Sequence, residues 1–503
     1  MSAIRQLAVE APVQASRLRF LPSGEARTGG AYVLFWMQKS QRSRDNPALE
    51  LSVHMANALG IPLLCVFVLC EYPRAEAPQY RFMLQGLRSC AEEIRARGAA
   101  FALLQGEPAE QVLRYGAEAA VLVADEGKLS FERRWRDSIA ASPGRPDMVI
   151  VETESVVPPA AVSDHLEWSA ATIRRKISAL LPFYLPRAAE NEECCRIAFQ
   201  GQPGDDSLFS QALGKEKRGA GGGEIEATAY KKGKALLSGG AEDEAAASRQ
   251  GFGSLLHLQR LSLVSGQAVG MERFEDFLHS GGLERYATER NDPSAKAGSA
   301  MSAYLHFGQI SPARLAQKAL EHSASAAQAY VEQLVVRREL ALNYVLHNPG
   351  YLEYKSAAPD WAQRSLASRT HPAKAYSDRE LEEARTEDPY WNAAQKELIL
   401  HGAIHNYMRM YWGKQLLQWF SDPSEAFSVA LRLNDCYSLD GRDPNGYAGV
   451  AWCFGRHDRP WPERPGFGKV RAMMASGLRK KFDIERYAEE MDSIYTSRIK
   501  ETL

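Results

Sequence analysis

Four of the chain's nine tryptophans, Trp391, Trp412, Trp419 and Trp452, fall in one stretch of its C-terminal third. Indole rings are large and electron-rich, so a row of them can relay single electrons as well as fill a core. Trp412 and Trp419 are seven residues apart, which on a helix puts them on one face about 10 Å apart by rise. Trp391 opens the preceding helical segment, and a short helical hairpin brings it near Trp412. The polar run His405–Arg409 interrupts the apolar pattern, and such groups need buried partners if they face inward. Spacing alone is met both by a packed core and by a redox wire.

Other residue types capable of chemistry are spread through the same half. Ser299 and Ser302 stand where a helix starts, so their hydroxyls either cap it or join free backbone N–H groups in holding a phosphate. Glu332 and Glu339 are seven apart around Arg337 and Arg338, on roughly one helical face. They read either as a surface ion-pair ladder or, for Glu332, as a carboxylate turned inward to a polar substrate. The stretch 433–471 is dense in Gly, Pro and Asp, carries Trp452 and Trp461, and reads as a long structured connection rather than a helix, the kind of loop that usually carries function. Lys469 and Arg471 at its end, with Arg479, Lys480 and Lys481 beyond it, are either a solvated helix face or a nucleic-acid edge.

The elements that must position these groups fall into two classes. Continuous apolar runs at 31–37, 61–70, 99–106 and 119–126 alternate with helical segments such as 80–98, the pattern of a parallel sheet covered on both faces. Residues 1–30 read as a loose lead-in, 31–190 as a Rossmann-like α/β domain whose sheet is complete by about 155, and 255–503 as an all-helical domain. The α/β part has neither GxGxxG nor a Walker A sequence, so a standard phosphate site is unsupported there. Ligands of such sheets bind beyond the C-terminal strand ends, so an auxiliary small-molecule site and a bare scaffold both remain open. The helix at 165–185 carries Arg174, Arg175 and Lys176, a solvated face or a substrate contact. Between the two halves, 191–254 is rich in Gly, Ala and charge and poor in large apolar groups, and reads as a flexible linker or insertion.

Composition narrows the class. The chain has 503 residues, 45% hydrophobic and 24% charged, with formal net charge −1. This is a soluble globular composition without a global basic excess. No apolar run is long enough to cross a bilayer, and no signal peptide is evident. Seven cysteines without a CxxC exclude a disulfide framework or zinc motif and fit a reducing cytoplasm.

Taken together, YATERNDP, SAYLHFGQIS, RRELALNY, DPYWNAAQ, HNYMRMYW, LNDCYSLDGRDPNGY and ERPGFGKVR, with the opening YVLFWMQKSQRSRDNPALELSVHMANALGIPLLCVFVL, resemble the photolyase/cryptochrome superfamily. Within it they resemble the class II cyclobutane pyrimidine dimer photolyases. The blocks lie in the family's order; the insertion at about 199–250 departs from it.

The resemblance implies a light-driven DNA repair enzyme, with FAD in the helical domain and UV-damaged DNA as partner. It implies a monomer of bacterial cytoplasmic, nucleoid-associated type with no membrane association. A deazaflavin or folate antenna belongs to some relatives. By resemblance, Tyr286, Ser299 and Ser302 serve the FAD diphosphate, and Arg409 and Asp440 flank its ring. Asn434 faces flavin N5, and Asn406, one turn before Arg409, lines the same pocket. Glu332 contacts the dimer, although Gln333 stands where many relatives carry a second Glu. Met410 and Trp452 pack on the flipped-out lesion, Lys469 and Arg471 lie on the DNA edge, and Trp412, Trp391 and Trp419 form the photoreduction triad. The alternative is a cryptochrome-like flavin photoreceptor that keeps the flavin and tryptophans but signals instead of repairing.

Overall fold

The computed structural model describes residues 3–23, 29–185, 193–200, 208–209, 264–369 and 376–502. Most of the expected linker, 191–254, therefore lies outside the described residues. The N-terminal part runs α1 (Ala3–Glu10), β1 (Leu18–Leu21), β2 (Tyr32–Trp36), α2 (Pro47–Leu59), β3 (Leu63–Leu69), α3 (Ala77–Ala96), β4 (Ala100–Gln105), α4 (Pro108–Gly116), β5 (Ala119–Asp125), α5 (Ser130–Ala141) and β6 (Asp147–Val151). It closes with α6 (Pro159–Val162) and α7 (Ala170–Tyr184).

The sheet order is β1-β6-β5-β2-β3-β4. β2 to β6 are parallel, while β1 is an antiparallel edge, Leu18 opposite Val151 and Leu21 opposite Met148. The lead-in is thus not loose: its first residues form α1, and Leu18–Leu21 protect the sheet edge. Alternate residues of each strand feed two cores. Val33, Phe35, Cys65 and Phe67 face one side, and Leu34, Trp36, Leu64 and Val66 the other.

The C-terminal half is helical. It comprises α8 (Gln267–His279), α9 (Gly282–Glu289), α10 (Ser302–His306), α11 (Pro312–His322), α12 (Ala327–Val331), a π-helical stretch Glu332–Arg337, and α13 (Arg338–His347). Next come α14 (Tyr354–Ala357), α15 (Asp360–Ala367), α16 (Asp378–Glu382), α17 (Pro389–His401), α18 (Asn406–Trp419), α19 (Pro423–Tyr437), α20 (Pro444–Cys453), α21 (Ala475–Lys481) and α22 (Ile484–Thr502).

The stretch read as one long connection contains α20. Its start is built by Asp443, whose carboxylate accepts from Asn445 N, and by Pro444 in the first turn. The glycines and proline that obscured it belong to its ends and to its close packing.

The two halves are locked by polar contacts. Arg42 donates to the carbonyls of Gly308 and Thr153 at 3.0 and 2.9 Å. Gly308 has φ +64 and lies against Lys39 and Ser40 backbone so tightly that no side chain fits. The Glu339 carboxylate accepts from Val156 N and Val157 N at 2.8 and 2.9 Å. Glu339 is therefore a buried staple and not a rung of a surface ladder.

Candidate active site

A cavity of about 220 Å³ opens in the helical half, lined among others by Tyr286, Ser299, Ser302, Gln333, Arg338 and Asp440. Three of the residues expected to serve one cofactor diphosphate, and Asp440 expected beside its ring, thus share a wall. The cap of α10 is Met301, with no side-chain cap bond, so neither serine is spent on capping. Ser302 is exposed and has no side-chain partner among the described residues, while Ser299 accepts from Tyr330 OH at 3.1 Å. Ala300 between them has φ +55, an uncommon conformation for a residue with a Cβ. Unspent hydroxyls, a buried Arg338 and this bent backbone form a donor set suited to a diphosphate.

Next to that wall, Arg409 on α18 donates through Nη1 to Asn434 Oδ1 at 2.5 Å, and its Nη2 is 3.4 Å from Asp440 Oδ1. Asp440 also accepts from Ser438 Oγ. Asn434 is buried at the end of α19. One guanidinium thus links an amide on α19 to a carboxylate in the following turn. This is a fixed cation with its counter-ion, suited to a ring that carries negative charge. Asn406 is exposed at the start of α18 and does not line the cavity, although it lies one turn before Arg409.

His306 and Asp443 were not singled out from the sequence. His306 Nδ1 is 3.0 Å from Asp443 Oδ2, and both side chains are buried on the cavity wall. Burial pushes the imidazole down to about 4, so His306 is neutral and donates from Nδ1. Burial opposes ionisation of Asp443, but that hydrogen bond and the cations Lys39 and Arg338 keep its carboxyl well below the usual range. The pair joins residues 137 apart in sequence, which no local pattern signals.

His306 also borders a second, smaller cleft with Lys39, Tyr72, Gln79 and Glu132. It lies at the carboxyl ends of the strands, where β2 separates chain halves wound in opposite directions. At about 40 Å³ it has room for a few water molecules.

Glu332 is not turned into the cavity. Arg174 on α7 holds it through Nε–Oε2 at 2.9 Å and Nη2–Oε1 at 2.7 Å, with Arg337 Nε 3.4 Å away. Of the two readings left open for Glu332, the structure shows the ion pair. Its neighbour Gln333 lines the cavity instead. Both sit in the π-helical stretch, a local unwinding that often accompanies function.

The tryptophans are ordered differently from their spacing. Trp391 stacks on Trp412, with centroids 6.1 Å apart, and meets Trp419 edge-on at 5.2 Å. Trp391 is therefore the middle ring. Trp412 Nε1 donates to Gln395 Oε1 at 3.0 Å. Trp412 is also three residues, about one turn, beyond Arg409. Trp419, half-buried, packs edge-on against Tyr376 at 4.9 Å. Trp391 and Trp412 are fully buried, so they fill the core as well as forming a continuous row.

Trp452 stands apart from that row, on α20. Met410 and Trp452 are half-buried on the facing helices α18 and α20, where a Cβ on Gly449 would sit 3.6 Å from Met410 Cε. Beyond α20, Trp461 is flanked by the guanidiniums of Arg459 and Arg471 at 5.3 and 5.0 Å. Lys469 and Arg471 are exposed. An aromatic ring between two arginines, on an exposed basic edge, suits a nucleic-acid strand. Among the described residues no helix is long and apolar enough to cross a membrane.

Comparison with known proteins gives this arrangement its family. Residues 33–192 match the model of the family DNA photolyase. The chain is 39% identical over 483 residues to a deoxyribodipyrimidine photo-lyase of Methanothermobacter thermautotrophicus, covering 95% of this chain and 98% of that one. It is 35% identical to one of Arabidopsis thaliana, covering 96% and 94%, and 31% identical to one of Potorous tridactylus, covering 91% and 81%.

Two solved structures share the fold. A class III photolyase from Agrobacterium tumefaciens has a TM-score of 0.61 at 17% identity, covering 86% of this chain and 82% of its own. An archaeal photolyase from Sulfolobus tokodaii with two FAD molecules has 0.60 at 15%, covering 91% and 88%. Identity above 30% along nearly the whole length, together with the shared fold, makes the chain an enzyme of the DNA photolyase family.

Proposed function

We propose that this enzyme is a class II photolyase that repairs cyclobutane pyrimidine dimers in DNA with an electron from photoexcited, reduced FAD. The observation that carries the reading is Arg409, which is bonded to Asn434 and Asp440 beside a cavity lined by Ser299 and Ser302, one helical turn from a row of indoles. FAD, when bound in this cavity, would supply the photoexcited single-electron chemistry that opens both cyclobutane C–C bonds with no net loss of the electron.

The chain's own residues then have separable tasks. Ser299, Ser302 and Tyr286 bind the diphosphate, and Arg338 adds positive charge to the same wall. Arg409 provides the fixed cation for a reduced, anionic ring, and Asp440 holds that cation in place. Asn434 presents an amide able to donate or accept at the ring edge. Trp412, Trp391 and Trp419 carry electrons inward from the surface. Met410 and Trp452 supply the apolar and aromatic contact for the extruded dimer, which leaves the duplex at lower cost than a paired base. Gln333, at the cavity wall, and Glu332, once released from Arg174, are the polar groups available to the dimer's carbonyl edge. Arg459, Trp461, Lys469 and Arg471 take the strand.

The test is light-dependent repair of a thymine dimer in single- and double-stranded DNA by the purified, photoreduced protein. Splitting in light and none in the dark is expected. Repair of (6-4) photoproducts in place of cyclobutane dimers would overturn the class. Photoreduction without any repair would favour a cryptochrome-like photoreceptor.

A further inference from the structure

Lys414 is wholly buried on α18, and no carboxylate lies within ion-pair distance of it among the described residues. Its Nζ has two partners: the Cys453 carbonyl at 3.3 Å and the face of the Trp452 ring, whose centroid is 4.6 Å away. Gly413 makes this possible, because it lets α20 come so close that a Cβ there would be 2.8 Å from Cys453 Sγ.

Other charged or titratable groups acting on the ammonium or on Cys453 come from α20, the segment after it and α18 itself. Cys453 is on α20, Asp458 and Arg471 are in the segment after it, and Arg409 is on α18 itself and acts on Cys453. Burial pushes the Cys453 thiol up to about 11, so it is neutral near pH 7. An unpaired buried cation disfavours folding. One held against an indole face gains more from that face than it would in water.

We propose that Lys414 is a positioning residue for Trp452: its ammonium fixes one face of the indole and so sets the ring that receives the extruded dimer. This rests on the proposed substrate role of Trp452. A purely structural role remains for comparison, since a cation at the C-terminal end of α20 also satisfies its last carbonyls.

The chemistry predicts a pH dependence. Burial lowers Lys414 to about 8, opposed by the Asp458 carboxylate and helped by Arg471. The grip on the ring is present below that value and lost as pH rises through it.

The experiment measures dark binding of the holoenzyme to an oligonucleotide with one thymine dimer, by fluorescence anisotropy from pH 6.5 to 9.5, alongside thermal melts. Wild type should lose affinity between about pH 7 and 9. Lys414→Met should bind roughly 3- to 30-fold more weakly at pH 7, the size of a buried cation–π contact, with no pH step and a Tm equal to or above wild type. Lys414→Arg, always charged, should keep most affinity and lose the step.

Lys414→Met binding like wild type, or the same step persisting in Lys414→Arg, would overturn the proposal. Trp452→Ala separates the two readings. If it weakens dimer binding while Lys414→Met does not, only the lysine's role fails. If Trp452→Ala binds normally, the substrate role of Trp452 fails and the positioning role with it.

Discussion

Trp391 and Trp412 lie 8° from parallel with ring centroids 6.1 Å apart, and Trp391 Nε1 donates to the Trp412 carbonyl at 3.0 Å. This makes Trp391 the link between Trp412 and Trp419. Trp391→Phe keeps an aromatic ring in the core but removes the easily oxidised indole. Photoreduction of the oxidised enzyme should slow at least about tenfold, equivalent to roughly 1.4 kcal/mol of barrier. Repair by chemically reduced enzyme should continue. Transient absorption under steady illumination reads the first and a single-turnover repair assay the second. Unchanged photoreduction would leave these rings as core packing.

Arg409 is held by an amide and a carboxylate, so its removal has a specific cost. Arg409→Ala leaves Asp440 without its cation and Asn434 Oδ1 without its donor. FAD affinity should fall by about 1.5–3 kcal/mol, the range for hydrogen bonds to charged groups. Arg409→Lys should recover part of it, since charge is kept but the fork is lost. Flavin absorbance retained after gel filtration gives the measurement, and full retention in Arg409→Ala would remove the residue from the cofactor site.

How much of this was legible in the sequence depended on the range of the contact. The strands at 31–37 and 61–70 announced themselves because both faces are buried, so every residue is apolar. The Arg409–Asn434–Asp440 grouping was reached through resemblance, since these residues come from a helix, the next helix and a turn. Trp412 and Trp419 share α18, but no spacing rule says that a ring from α17 inserts between them. The direction of Glu332 stayed open in the sequence because Arg174, far away along the chain, is the partner that decides it. Helix α20 was missed because Gly446 and Gly449 read as loop, whereas Gly446 is there for close approach: a Cβ on it would meet Asn434 Nδ2 at 2.9 Å.

Glu339 predicts a pH effect on stability. Burial raises its carboxyl to about 8, although Val156 N and Val157 N favour the charged form. The unfolded side chain ionises at the usual carboxylate value, so between about pH 4.5 and 8 the folded protein holds a proton that the unfolded chain has released. Stability from this group is therefore fully present below about pH 4.5 and falls as pH rises, until it levels off above about 8. Glu339→Gln keeps an oxygen for both backbone donors and cannot ionise. Its Tm should exceed wild type at pH 8 by the equivalent of up to a few kcal/mol, with the gap closing toward pH 5. A pH-independent difference would show that the carboxylate is charged in the folded state.

Gly413 and Cys453 set the separation of α18 and α20, and with it the placement of Lys414, Met410 and Trp452. A methyl group at 413 meets Cys453 Sγ at 2.8 Å, closer than packed atoms tolerate. Gly413→Ala should therefore cost about 1–3 kcal/mol through overpacking, despite the better helix propensity of alanine. Cys453→Ala alone removes a buried thiol and should also destabilise. The double variant should be more stable than the sum of the two losses implies, because each change relieves the other, with a coupling on the order of 1 kcal/mol. Urea denaturation of the four proteins measures that coupling. Additive losses would mean that α20 shifts freely along α18, and the close helix contact would then not fix the ring of Trp452.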